Sequence, residues 1–125
     1  MTISARTLEI TQAAARAVIE KIGTDLVAID LSDQLVLSEV FLIATGQNVA
    51  QVDSIADEVE RQLLAMGEKA ARREKGAEWI LLDYSDLVVH VQSTDLRKYY
   101  MLDRLWNDCP MIELDAVKEA AINGR

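Results

Sequence analysis

Hydrophobic positions along the 125-residue chain change period several times, and each change marks an element. From Ser4 to Ile22, the residues Ile10, Ala14, Ala17, Val18 and Ile22 fall near one stripe at helical spacing. Gly23 follows where a helix prefers a left-handed C-terminal residue. The spacing therefore predicts a first helix ending at Gly23. Leu26 to Leu31 is short and β-branched, bounded by Asp25 and by Ser32-Asp33-Gln34, and reads as a strand. Glu39 to Thr45 is nearly all apolar, the pattern of a strand covered on both faces.

Gly46 opens a turn. Asn48 is placed to cap the next helix, with Gln51 positioned to bond back to the cap residue. Val52, Ile55, Ala56, Val59, Leu63 and Met66 form the clearest apolar stripe in the chain, and Gly67 ends it. Lys69 to Lys75 is locally basic and reads either as a short edge strand or as a loop, because charges on an edge discourage unwanted pairing. Trp79–Asp83 and Leu87–Gln92 are strand-like runs separated by Tyr84-Ser85-Asp86, hence antiparallel hairpin neighbours. Ser93 or Thr94 caps a last helix carrying Leu96, Tyr99, Leu102, Leu105 and Trp106, and Pro110 stops it. A further short helix around Val117 to Ile122 or a frayed terminus fits the remainder. In order, these elements predict an α/β fold with a mixed sheet of about four to five strands and helices packed on it.

Composition narrows the class. Half the residues are apolar and 27% are charged, a balance that excludes a disordered or fibrous chain. No apolar run approaches the roughly 20 residues that cross a bilayer. Met1 to Thr11 lacks a leader-like pattern, so a cytoplasmic location is expected. Cys109 is the single cysteine and reads as a packed or idle thiol. The net charge of −8 is localised: eight acids and no base lie between Asp25 and Glu60, while the other 13 acids and 13 bases cancel. Such a field disfavours direct nucleic-acid contact and favours basic protein surfaces.

No catalytic set assembles. His90 is the only histidine; it shares a strand face with Val88 and Gln92, and a contact role or a hairpin hydrogen bond fits it better than a general base. The Gly46 loop has one glycine and no lysine, short of a phosphate-binding loop. Asp30 with Asp33, and Asp83 with Asp86, have the spacing of metal carboxylates but fit turns better, since Asp and Ser bond the nearby backbone there. Trp79, Leu81 and Asp83 alternate onto one strand face, with Ile80, Leu82 and Tyr84 on the other. Tyr99, Tyr100 and Trp106 cluster further on, and Trp and Tyr are frequent interface anchors.

Several separated segments resemble the ribosomal silencing factor family, also called iojap-like. They are Asp30-Leu31-Ser32-Asp33, Phe41 to Gly46, Ser54-Ile55-Ala56-Asp57, Glu78 to Val91 and Arg97 to Trp106, and together they span roughly Thr7 to Asp108. The resemblance implies a domain over residues 1–108 with a C-terminal extension at 109–125. It implies a nucleotidyltransferase-like topology without the catalytic signature, Gln47 standing where an active enzyme carries Ser. It further implies a non-enzymatic factor without a cofactor or metal. Such a factor binds the large ribosomal subunit through ribosomal protein L fourteen and blocks joining of the small subunit, lowering translation when nutrients are short. Carried over by position, the partner-binding residues are Trp79, Leu82, Asp83, Tyr84 and His90, with Tyr99 and Tyr100 added. Two alternatives remain open. One is a Mg-dependent nucleotide-binding transferase using Asp30 or Asp83; the other is use of exposed apolar surface for a resting homodimer.

Overall fold

A computed structural model describes residues 3–34, 38–99 and 108–122. The first helix, α1, is Ala5–Glu20. The Ser4 hydroxyl caps it by accepting the Thr7 amide at 3.1 Å. The helix stops earlier than its stripe, and Ile22 rather than Gly23 takes the left-handed conformation, at φ 60°. Gly23 is required by space instead: a Cβ there would stand 2.5 Å from Val18 Cγ1.

Strand β1 (Thr24–Asp30) runs antiparallel to β2 (Val40–Gly46). The latter is buried along almost its whole length, as its continuous apolar run predicts. Helix α2 (Val49–Ala65) begins at Asn48, whose Oδ1 accepts the Gln51 amide at 2.9 Å. Gln51 departs from the expected capping box. Its Oε1 accepts the Gln47 amide, and its Nε2 donates to the Lys21 and Ile22 carbonyls at 3.0 Å. One side chain thus ties the start of α2 to the end of α1.

The basic segment resolves into a strand, β3 (Arg72–Lys75), followed by β4 (Trp79–Asp83) and β5 (Leu87–Ser93). The five-stranded sheet has the order β1-β2-β5-β4-β3. Only the β2–β5 pair is parallel, and the β4–β5 hairpin is antiparallel as expected. Ser93 rather than Thr94 caps α3 (Thr94–Tyr99): its Oγ accepts the Leu96 amide at 3.1 Å. The rest of the apolar stripe expected after it, Leu102 to Trp106, lies outside the described residues.

Within residues 109–125, expected as an extension, the chain returns to the body. Met111 bridges to Ile29, the Asp30 amide donates to the Pro110 carbonyl at 2.9 Å, and Ile112 donates to the Ala28 carbonyl at 2.9 Å. Helix α4 (Asp115–Ile122) then packs against α1.

The main core lies between one sheet face and the helices α1, α2 and α4. Ala14, Val18, Leu42, Ile55, Val59, Leu63, Leu82, Leu87 and Val89 are fully or almost fully removed from solvent there. Each large side chain so buried contributes about 1.5–3 kcal/mol against the entropy of ordering the chain. On the other face, Ile29, Leu31, Ile43 and Cys109 make a smaller cluster with Val27 and Phe41. Of the two readings its isolation leaves, Cys109 is thus a packed thiol.

Candidate functional site

Strand alternation and register decide what the second face presents. The pairs Phe41↔Val88↔Asp83↔Arg72 and Ile43↔His90↔Leu81↔Glu74 run across β2, β5, β4 and β3, with Trp79 opposite Gln92 one pair further on. Cross-strand partners share a face. The face therefore grades from the closed cluster at β1–β2 into a groove of about 600 Å³ whose lining includes Phe41, Leu81, Val88, His90, Asp83 and Arg72. None of α1, α2 and α4 covers it, since all three pack on the opposite side.

His90 is half-buried in this groove. Its ring lies 4.9 Å from that of Phe41, centroid to centroid, at an interplanar angle of 59°. Burial among apolar neighbours pushes its pKa down to about 4, because the desolvated ring favours the neutral form. At neutral pH the groove therefore carries an uncharged imidazole whose buried Nε2 has no hydrogen-bond partner. The groove has an apolar floor and a polar rim. Asp83 Oδ1 accepts the Ser85 amide at 2.8 Å, and Arg72 stands 3.5 Å from Asp83 Oδ2.

The paired carboxylates behave as turn residues. Asp30 Oδ1 accepts the Ser32 amide at 2.9 Å and the Ser32 hydroxyl at 2.6 Å, and Asp83 Oδ1 accepts the Ser85 amide at the hairpin. Ser85 occupies the left-handed region at φ 71°, a conformation that such Asx bonding supports. Among the described residues, no group of three or more His, Cys, Asp or Glu side chains has the geometry to hold a metal ion.

Of the expected contact residues, Trp79, Asp83 and His90 lie on the second face, and Leu82 and Tyr84 do not. Leu82 is wholly inaccessible and Tyr84 is 8% exposed; both are packed in the helix-covered core. Those two positions are corrected from surface to core, for a reason already contained in the period of two: they alternate with Trp79, Leu81 and Asp83. Burial also raises the Tyr84 phenol to about 12, and its hydroxyl is buried without a partner. The side chain of Tyr99, and all of Tyr100, lie outside the described residues. Sequence reasoning omitted Phe41, Val88 and Arg72 from the site. Val88 shares the His90 face by alternation along β5, whereas only the β2–β5–β4–β3 order brings Phe41 and Arg72 to the groove, and strand order leaves no local signal.

The acidic stretch is compensated in space by bases distant in sequence. Arg73 and Lys75 project from the helix-facing side of β3 onto the outer face of α2. Lys75 Nζ lies 3.0 Å from Asp53, and Arg73 bonds Asp57 at 3.0 Å and also Glu60. Glu58 pairs with Arg61. At least four of the eight acids counted between Asp25 and Glu60, namely Asp53, Asp57, Glu58 and Glu60, are thus engaged in ion pairs. No helix of the described residues is long and apolar enough to cross a membrane.

A five-stranded mixed sheet with α1, α2 and α4 on one side, and an aromatic and apolar groove on the other, defines an α/β domain. The family described as "Ribosomal silencing factor during starvation" matches residues 4–125, and the chain belongs to that family. It is 37% identical to the ribosomal silencing factor of Halalkalibacterium halodurans over 111 residues, covering 87% of this chain and 95% of that protein. The Bacillus subtilis ribosomal silencing factor is also 37% identical, over 85% of this chain and 92% of its own. A crystal structure of a Chromobacterium violaceum protein superposes with a TM-score of 0.77 at 32% identity, covering 86% of this chain and 88% of that one.

Proposed function

We propose that this chain represses translation without turnover: it binds the large ribosomal subunit through ribosomal protein L fourteen and blocks association with the small subunit when nutrients are limiting. The observation that carries this is the second sheet face, where Leu81, His90 and Phe41 line a groove with Trp79 one register pair further along, and the three core-forming helices leave room. Tightly binding interfaces concentrate their energy in a few aromatic and apolar anchors surrounded by a polar rim. Trp79 and Leu81 are suited to that role, with Asp83 and Arg72 at the rim.

Net charge of −8 assists approach to a basic protein and opposes approach to rRNA. The ion pairs between β3 and α2 confine this effect to long-range steering, and the contact itself falls to the groove. Free in the cytoplasm, the chain has the same surface available for a second copy, so self-association and partner binding compete. Capture of purified ribosomal protein L fourteen by wild type and by Trp79→Ala tests the proposal. A loss of about tenfold or more is expected for an anchor of this kind, and equal capture by both removes Trp79 from the surface.

A further inference from the structure

The turn between β3 and β4 contains Gly76, whose amide donates to the Trp79 carbonyl at 2.9 Å. The backbone there does not call for glycine. Gly67 at the end of α2 has φ +86°, whereas the φ of Gly76 is outside the left-handed region, where any residue is accommodated. Space does call for it. A Cβ on Gly76 would stand 2.1 Å from Trp79 Nε1, 2.4 Å from Cε2 and 2.8 Å from Cδ1. All three are atoms of the five-membered ring of the indole. The indole therefore lies flush against the turn, in the volume that any other side chain would occupy.

We infer that Gly76 is a positioning residue: by leaving that volume empty it holds the Trp79 indole in one orientation at the end of the groove face. Trp79 is half-buried at the start of β4, so its ring has solvent on one side and freedom to rotate unless something confines it. Seating the ring against the turn removes that freedom before any partner arrives, and the ordering cost on binding falls accordingly. A methyl at residue 76 would displace the indole rather than open the sheet. The clash is with a side chain, while the strand pairing from Lys75↔Ile80 onward is backbone.

This inference rests on Trp79 being a contact of the silencing surface, and the test separates the two. The full-length chain is labelled with 5-fluorotryptophan, its Trp79 resonance is assigned by Trp79→Phe, and capture of ribosomal protein L fourteen is measured for Gly76→Ala, Trp79→Ala and the double variant. Expected is a moved Trp79 resonance in Gly76→Ala, capture weaker by about three- to tenfold, and no further loss when the same substitution is made in Trp79→Ala. The double variant, which lacks the clash, also guards against a merely misfolded turn. An unmoved resonance overturns the positioning role, as does an equal loss from Gly76→Ala in both backgrounds. A moved resonance with capture unchanged in both single variants leaves the contact between Gly76 and Trp79 standing and removes Trp79 from the docking surface.

Discussion

His90 stacks obliquely on Phe41, the ring centroids 4.9 Å apart, and this contact joins strands that are far apart in sequence but adjacent and parallel in the sheet. It lies at the centre of the groove and shields one face of the half-buried imidazole from water.

That burial has a pH signature. An ordinary histidine titrates near 6.5, and His90 is pushed to about 4, so between these values the unfolded chain binds a proton that the folded chain refuses. This contribution to stability is complete above pH 6.5 and is lost as pH drops toward 4, about 3 kcal/mol in total for a shift of this size. Urea unfolding across this window should give a flatter profile for His90→Gln than for wild type. The neutral imidazole also means that partner capture should not vary between pH 7 and 8.

Glu58 supplies a second, separate acid dependence. Hydrogen bonds from Arg61 and then Gln62 hold its carboxyl at about 2, below the ordinary 4.5. A depressed carboxylate stabilises the fold above the unfolded value, and that contribution is lost as pH falls from 4.5 toward 2. Glu58→Gln should lose part of the acid-induced decline in this lower window and leave the His90 window untouched.

Tyr84 is expected to tolerate loss of its hydroxyl. The oxygen is buried without a partner, and an unsatisfied buried polar group costs about 1–3 kcal/mol. Tyr84→Phe should therefore match or exceed wild type in denaturant midpoint, with capture of the ribosomal protein unchanged. Leu82→Ala should cost about 2–5 kcal/mol, as for other buried leucines. A stability-neutral loss of capture from either substitution would return these residues to the surface.

The bases of β3 hold an edge strand to α2, and exposed ion pairs of this kind contribute about 0.2–1 kcal/mol each. Lys75→Ala should lower the unfolding midpoint slightly at low salt and less at high salt. Removing this base also uncovers Asp53, so the association rate with a basic partner should rise modestly at low ionic strength.

Much of this arrangement is legible from period and punctuation. The apolar run through Phe41 to Ala44 signals a central strand, the i, i+3, i+4 stripe of Val52 to Leu63 gives α2 its buried side, and Tyr84-Ser85-Asp86 marks the hairpin. The alternation Trp79, Leu81, Asp83 also announces the face that the groove uses. Tyr84 and Leu82 alternate with that set, and the same period of two puts them on the core side. What escapes a linear reading is pairing at a distance. Phe41 reaches His90 only through the parallel β2–β5 register, and Arg73 and Lys75 offset the acids of α2 only because β3 closes the sheet edge beside that helix. Glycine punctuation misled once, at Gly23, where Ile22 bears the left-handed backbone and the glycine makes room for Val18.

The most direct measurement of the central claim is the rate of subunit joining followed by light scattering, with large subunits preincubated with this protein. Leu81→Asp places a charge in the groove, and Leu64→Asp places one on the exposed outer side of α2, where Leu64 is 61% accessible. Wild type and Leu64→Asp should slow joining equally, and Leu81→Asp should leave the rate near that of untreated subunits. Undiminished silencing by a folded Leu81→Asp variant, or its loss in Leu64→Asp, would contradict a mechanism seated on the second sheet face.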